Sequence, residues 1–327
     1  MKSVTAQAPG KLMLLGEHAA VYGRHCIVTA VDAAVKATVT GSDSFFFEAP
    51  DMKFSGAVAI GKRSYRKEIA FAATAVQNFY EKFGVKQPVK IATKSIRPAE
   101  SKLGLGSSAS VTAAVIKALS SYFNIAMREQ QLFELSYKTI LDVQKTGSGF
   151  DVASAVYGGT LLYKIGKPIP LTCKKMDLII CYTGFPASTT EIVRKVAEKM
   201  KTGKAYYDAL FDEIEKLVMQ ASAAIEEGDW KKLGVLMGRN HGLLREFKVP
   251  SQKLGVSSEI IEKLIAAALD AGAYGAKLSG AGVGDCMIAI GPDKKRHAIE
   301  QALEQAGGKM VRAAANVAGV HVLEEGK

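Results

Sequence analysis

Four short loops, each setting glycine beside a charged or hydroxyl-bearing residue, lie far apart along this 327-residue chain. The first is Ala8-Pro9-Gly10-Lys11, followed closely by Gly16-Glu17-His18. The second is Leu103-Gly104-Leu105-Gly106-Ser107-Ser108-Ala109-Ser110, and the third is Thr146-Gly147-Ser148-Gly149-Phe150-Asp151-Val152-Ala153. The fourth is Lys277-Leu278-Ser279-Gly280-Ala281-Gly282-Val283-Gly284-Asp285. Glycine lets a backbone approach a ligand closely or take a left-handed turn. Any one of these loops reads as an ordinary turn. Four of one chemical kind, spread over the whole chain, are what a single site assembled from distant segments needs, and that demand limits the folds open to the chain.

The composition allows such a fold. Hydrophobic residues make up 48% and charged residues 23% of the chain, the balance of a soluble globular protein rather than a disordered one. At roughly 150 residues per domain the length suits two domains or one large one. A core of that size needs no covalent staples. The four cysteines, Cys26, Cys173, Cys181 and Cys286, lack CxxC spacing and read as buried thiols in a reducing cytosol. The start, Met1-Lys2-Ser3-Val4-Thr5-Ala6, lacks the apolar stretch of a secretion signal. No uninterrupted apolar run of about 18 residues marks a membrane span.

The 43 Lys and Arg against 32 Asp and Glu leave a formal net charge of +11. That surplus admits nucleic acid, an anionic membrane surface or a small acidic substrate as partner. The basic residues come as doublets and triplets, such as Lys62-Arg63 and Lys294-Lys295-Arg296, and not as a basic arm. Zinc-finger spacing and an RNA-recognition aromatic motif are also missing from the sequence. Charge alone does not decide among the three; the motifs point to the third, a small acidic substrate, with no nucleic acid and no membrane.

Strand-like and helix-like segments alternate from end to end. Residues 26–31 and 34–40 read as strands with a turn at Asp32, and 88–93, 158–164 and 177–182 as further strands. Helical periodicity marks 67–83, 108–123, 130–144, 189–200, 206–227, 229–246, 258–271 and 293–306. Residues 276–279 and 285–290 form a strand pair around the fourth loop, and 319–323 closes the chain as a strand. The polar stretch 164–175, with Gly166, Pro168 and Pro170, marks a domain junction. The expected class is α+β in two lobes and not a doubly wound sheet.

The second loop leads straight into a helix, whose first amides lack partners and carry partial positive charge. Ser107 and Ser108 add hydroxyls that can cap that helix or bind a phosphate or a metal ion. As a bare pattern Gly104-x-Gly106-x-x-Ala109 fits a dinucleotide fingerprint. The preceding Arg97-Pro98-Ala99-Glu100-Ser101-Lys102 is no buried strand, so that context fails. A Walker A loop needs Gly-Lys followed by Ser or Thr, and Gly10-Lys11-Leu12, Gly61-Lys62-Arg63 and Gly308-Lys309-Met310 all fail it.

Together the motifs resemble those of the GHMP small-molecule kinases, named for galactokinase, homoserine kinase, mevalonate kinase and phosphomevalonate kinase. The resemblance covers almost the whole chain. Gly16-Glu17-His18-Ala19-Ala20-Val21-Tyr22-Gly23, Tyr182-Thr183-Gly184 with Ser188-Thr189-Thr190, and Asn240-His241-Gly242-Leu243-Leu244 before Leu254-Gly255-Val256-Ser257 are similar to the mevalonate kinases. The blocks around Asp151 and Gly284-Asp285-Cys286 are more similar to the phosphomevalonate kinases.

The resemblance implies ATP-dependent phosphorylation of a substrate hydroxyl, with mevalonate as acceptor, Mg2+ as cofactor, and a cytoplasmic homodimer. It implies an N-terminal lobe over 1–168 related to ribosomal protein S5 domain 2 and a ferredoxin-like C-terminal lobe over 169–327. Lys102, Gly104, Leu105, Gly106, Ser107, Ser108, Ala109 and Ser110 would hold the ATP phosphates, with Ser108 on the metal. Asp151 matches the family's catalytic aspartate and Lys11 its lysine partner. Glu17, His18, Ser148, Gly149, Asp151, Thr183, Gly280, Ala281 and Gly282 would line the substrate. One position departs from the pattern. The family's second metal ligand, a glutamate eleven residues before the aspartate, is Ile140 here. Asp142 lies about 200° around a helix from it, while Gln144 lies one turn on and could act through water. Magnesium keeps several waters, so one protein ligand plus phosphates remains chemically sound.

Overall fold

The computed structural model describes residues 2–96, 103–247, 249, 253 and 255–326. Its largest sheet is built on two long antiparallel strands, β1 (Ser3–Leu15) and β2 (Cys26–Gly41). At its start β1 alternates: Val4, Ala6 and Ala8 are buried, with Ser3, Thr5 and Gln7 between them. The register against β2 shifts between Ala8 and Gly10, where Pro9 has no N–H to give the ladder. Beyond that bulge both faces are covered. Leu12, Leu14 and Leu15 join a core shared with C-terminal elements, while Met13 joins the core under the N-terminal helices.

The expected turn at Asp32 is absent, because β2 runs through it and changes neighbour in mid-strand. Its first part pairs with β6 (Thr160–Lys164) and its second with β5 (Val89–Ser95). The Asp32 carboxylate accepts from the distant Ala314 N–H at 2.9 Å instead of closing a local turn. β12 (His321–Gly326) flanks β1. β3 (Phe46–Ala49) pairs in parallel with β5, and β4 (Phe54–Ala57) pairs with β3. The polar stretch after β6 starts as a hairpin, since β7 (Lys167–Pro170) folds back on β6.

Four helices pack with this sheet: α1 (Ala70–Phe83), α2 (Ser107–Tyr122), α3 (Glu129–Gln144) and α4 (Phe150–Tyr157). α2 sits among the other three and against β1 and β2. Its Ala109, Ala113, Ala114, Val115, Ile116 and Ala118 are fully buried, small side chains that let neighbours close in on several sides.

The second sheet runs β11 (Lys309–Val311), β8 (Ile179–Tyr182), β10 (Cys286–Ile290), β9 (Gly275–Ser279), all antiparallel. Every residue of β9 and β10 is buried; β10 reads as an apolar run, while β9 carries the buried Lys277 and Ser279. α5 (Thr189–Glu227) breaks its helical geometry at Gly203, in the gap between the two helices expected there. α6 (Trp230–Arg245), α7 (Glu259–Asp270) and α8 (Arg296–Gln305) complete the chain. The expected α+β organisation is the one observed. All four cysteines are free thiols, but Cys173 is half-buried rather than buried.

Candidate active site

The four loops converge at the junction of the two sheets. In the second loop Gly104 and Gly106 take left-handed φ values of 71° and 79°. Each also leaves room for a partner. A Cβ on Gly104 would meet Asp285 Oδ2 at 2.6 Å, and one on Gly106 would meet Lys11 Cγ at 2.8 Å. Gly106 caps α2, so the helix starts with no side chain masking its positive end. Ser107 is exposed and Ser108 half-buried, leaving both hydroxyls within reach of a ligand.

The other residues of that loop hold it in place. Leu105 and Ala109 are buried, and the Leu105 carbonyl accepts from the Lys11 N–H at 2.8 Å. Ser110 is buried and donates to the Pro9 carbonyl at 2.7 Å, tying α2 to β1. Lys102 and Leu254 lie outside the described residues.

Lys11 leaves β1 toward the second loop. Its ammonium donates to the Gly104 carbonyl at 2.8 Å and lies 5.6 Å from the centre of the Phe150 ring. Burial pushes its pKa below the usual lysine range. Asp151 opposes that most, followed by Asp285, Cys286 and Glu17.

In the third loop Gly149, at φ 83°, caps α4, and Asp151 is the helix's second residue rather than its cap. The Asp151 carboxylate accepts from the Val152 N–H at 2.9 Å. Burial pushes its pKa up, with Lys11 and then backbone N–H groups opposing. Two tyrosines fix the loop: Tyr163 donates to the Ser148 carbonyl at 2.6 Å and Tyr137 to that of Gly147 at 2.8 Å. A Cβ on Gly149 would meet the Tyr163 hydroxyl at 2.9 Å. Ser148 is itself buried.

The fourth loop joins β9 to β10. Gly280 and Gly282 have φ values of 103° and 89°, and a Cβ on Gly282 would meet the Val256 carbonyl at 1.9 Å. Asp285 sits at φ 56°, a left-handed position that aspartate tolerates better than most residues. Its Oδ1 accepts from the Ala187 N–H at 2.9 Å, and burial pushes its pKa up. Thr183, almost fully buried, donates its N–H to the Asp285 carbonyl at 2.9 Å. Its hydroxyl bonds Phe185, so this side chain shapes the turn that carries Asp285.

Glu17 and His18 are both buried. The Glu17 carboxylate pairs through one oxygen with Lys277 and accepts through the other from Asn240 Nδ2 at 3.3 Å. This salt bridge is wholly removed from solvent, both side chains being 0% exposed. The resemblance assigned Glu17 to the substrate; both its oxygens are bonded within the protein. His18, at φ 61°, donates from Nε2 to the Ala281 carbonyl at 3.0 Å, since a carbonyl only accepts. Burial lowers its pKa to about 4, so the ring is neutral near pH 7.

A cavity of about 80 Å³ is lined by Lys11, Glu17, His18, Gly104, Phe150 and Asp285, with Gly280 and Ala281; Asp151, Ser108, Ser148 and Thr183 are not part of its lining. A larger cavity of about 890 Å³ lies between α8 and residues 310–316 and includes none of the four loops. Asp285, Phe150, Lys277 and Asn240 are brought to the site by the fold alone, with no role readable from the sequence. Lys277 carried one signal, a lone lysine within the apolar run Ala276-Lys277-Leu278.

Among the described residues no three His, Cys, Asp or Glu side chains cluster as a metal site. Ile140 is buried and apolar. Asp142 accepts from Lys138 at 2.6 Å and from Asn78 at 2.9 Å, so it does not replace the missing glutamate. The donors at the loop are the hydroxyls of Ser107 and Ser108 and the first amides of α2. That suits a hard cation which takes its remaining oxygens from phosphates and water.

The chain is similar to known proteins in sequence and fold. The N-terminal domain model of the GHMP kinases matches residues 70–159, and the GHMP kinases C-terminal model matches 221–309. A mevalonate kinase from Pyrococcus horikoshii is 34% identical over 325 residues, covering 94% of each chain. The crystal structure of the Methanococcus jannaschii mevalonate kinase superposes with a TM-score of 0.80 at 25% identity, covering 95% of this chain and 97% of that one. An L. major mevalonate kinase solved with R-mevalonate gives a TM-score of 0.75 at 25% identity over 96% of each chain.

Proposed function

Because this chain belongs to the GHMP kinase family, and is thus an ATP-dependent small-molecule kinase, we propose that it transfers the γ-phosphoryl group of ATP to the hydroxyl of mevalonate. The observation that carries the chemistry is Lys11, bonded to the Gly104 carbonyl beneath the start of α2 and facing the carboxylate of Asp151. The acceptor is supported by the curated relative that matches over nearly the full length, and by the relative solved with R-mevalonate.

In this reading the ATP phosphates lie on the backbone of Gly104 and Gly106 and on the first amides of α2. Ser107 and Ser108 bond them from the same helix start. Ser108 would hold Mg2+, which when bound supplies positive charge to the phosphate oxygens. Phosphoryl transfer depends chiefly on positioning and charge neutralisation. Asp151 takes the proton of the acceptor hydroxyl as its oxygen attacks the γ-phosphorus, and ADP leaves with the bridging oxygen. Its raised pKa makes it a better base than an exposed aspartate. The Lys11 ammonium offsets negative charge on the transferring group. Ser148, Gly149, Thr183, Gly280, Ala281 and Gly282 frame the acceptor, with neutral His18 beside them. The same reading divides the chain into an N-terminal unit over 1–168 and a C-terminal unit over 169–327, acting as a cytoplasmic homodimer; light scattering and cell fractionation test the last two points.

Incubation with MgATP and, in turn, mevalonate, phosphomevalonate, homoserine and galactose, with ADP release as readout, tests the acceptor. Release with mevalonate is expected. Release with phosphomevalonate alone would shift the acceptor by one phosphate, and release with none would remove the kinase reading.

A further inference from the structure

Lys11 is the only cation lining the site cavity among the described residues, and it faces two carboxylates from different parts of the chain. Asp151 comes from α4. Asp285 comes from the loop before β10, and its Oδ2 lies 2.6 Å from where a Cβ would stand on Gly104, the residue whose carbonyl the Lys11 ammonium bonds. We propose that Asp285 is a positioning residue that keeps the Lys11 ammonium protonated and turned onto the phosphate loop. The inference rests on the kinase reading above and adds to it a residue and a role.

Three observations carry it. First, Asp285 occupies a left-handed backbone position, φ 56°, at the end of a glycine-rich loop, where glycine would meet no strain. A carboxylate held there is a departure from the easiest backbone choice. Second, that carboxylate is anchored and aimed. Oδ1 is fixed by the Ala187 N–H at 2.9 Å, and the backbone on either side is fixed by Phe185 and Thr183. Oδ2 is left at Gly104, which has to be glycine to admit it. Third, the charges require a second anion. A desolvated ammonium loses its proton easily, and the base Asp151 gives up part of its own charge when it takes the acceptor's proton. Asp285 takes no part in that transfer, so its contribution to Lys11 persists through the reaction.

The titratable groups that face Lys11 are Asp151 on α4, Asp285 and Cys286 at the start of β10, and Glu17 after β1. Glu17 is already neutralised by Lys277, and Cys286 is a buried thiol that donates to the Leu103 carbonyl at 3.3 Å. Among the described residues that face Lys11, Asp285 is therefore the carboxylate, besides the base, that no cation of its own neutralises.

The test uses Asp285→Asn, which keeps an oxygen for the Ala187 N–H and tolerates the left-handed backbone. The readout is the pH profile of kcat/KM with mevalonate and MgATP. Removing the anion lowers the Lys11 pKa, so the alkaline limb should move down by about one pH unit while the melting temperature holds. In a Lys11→Met background the same substitution should move nothing further. An alkaline limb that stays in place in Asp285→Asn overturns the proposal. So does a change confined to the magnesium concentration needed for half-maximal ATP binding, which would make Asp285 a metal ligand. Asp285→Gly, which relaxes the backbone and also removes the charge, should reproduce the Asn shift if charge is the cause. If the wild-type protein turns over no acceptor, the kinase reading has failed on its own. The limb is then read from the pH dependence of ATP affinity, where the same shift is expected and its absence has the same meaning.

Discussion

Asp151 and Lys11 stand out in the sequence through their match to the motifs of the family it resembles, and the chemistry agrees: phosphoryl transfer to an alcohol needs an acceptor for a proton and a charge for the phosphate. What the sequence could not show was their environment. Burial raises the Asp151 pKa, and Lys11 opposes it. The direction fixes a prediction. Asp151 must be ionised to accept a proton, so kcat should fall as pH drops through its folded pKa, above the ordinary carboxylate value of about 4. Asp151→Asn should lower kcat by about 10²- to 10⁴-fold, flatten that acidic limb and leave ATP affinity nearly unchanged, as isothermal titration would register. A large loss of ATP affinity would contradict its role as base. His18, held neutral with a pKa of about 4, should contribute no transition between pH 5 and 8. Asp285 was harder to see. It stands in a glycine-rich motif, yet its bearing on Lys11 exists only once the β9–β10 loop is folded against Gly104.

At the scale of elements, long periodic helices were legible and interrupted strands were not. α1, α2, α3, α6 and α7 start and stop within a few residues of where apolar spacing put them. β1 was missed because Pro9, Gly10 and the fully buried Leu12–Leu15 run break the alternation that marks a half-exposed strand. The Asp32 turn was a misreading of a strand that changes partners. β3, β4, β7 and β11 are too short to carry a period. Glu17, just after β1, and Lys277, on β9, join two such elements through a buried ion pair. Their value lies in being complete. Lys277→Met strands the Glu17 carboxylate in the core and should destabilise the protein by about 3–5 kcal/mol in urea unfolding. Adding Glu17→Gln should recover part of that loss, because the uncompensated charge is then gone. Gly106→Ala acts on a different element. With φ at 79° and Lys11 Cγ 2.8 Å from the added carbon, it should raise the KM for ATP by about tenfold or more, while urea stability changes by only about 1 kcal/mol.

At the scale of the whole molecule, the charge of +11 is consistent with anionic substrates but is carried mainly by surface doublets; among the described residues Lys11 is the one lysine or arginine lining the site cavity. No helix of the described residues is long and apolar enough to cross a membrane. The feature that sequence reading could not anticipate is the return of the chain's last segment to its first sheet. Asn316 N–H donates to Thr29 Oγ1 at 3.1 Å, Gly159 N–H to the Val317 carbonyl at 2.7 Å, and Val320 N–H to the Ala155 carbonyl at 2.9 Å. These bonds clamp the C-terminal end of α4, the helix whose first turn carries Asp151. Gly319 makes the approach possible. Its φ is not left-handed, so alanine is conformationally acceptable there, but a Cβ would lie 2.2 Å from the Val156 carbonyl and 2.7 Å from the Tyr157 carbonyl carbon. Gly319→Ala should therefore cost about 1–3 kcal/mol through overpacking alone. Gly238, within α6, offers the contrast: a Cβ there meets nothing within 4 Å, and Gly238→Ala should stabilise by about 0.5–1 kcal/mol. If the clamp positions the catalytic helix as well as stabilising it, Gly319→Ala should also lower kcat at a temperature well below its unfolding transition. A loss of stability with kcat unchanged would show that the chain terminus supports the sheet without setting the position of Asp151.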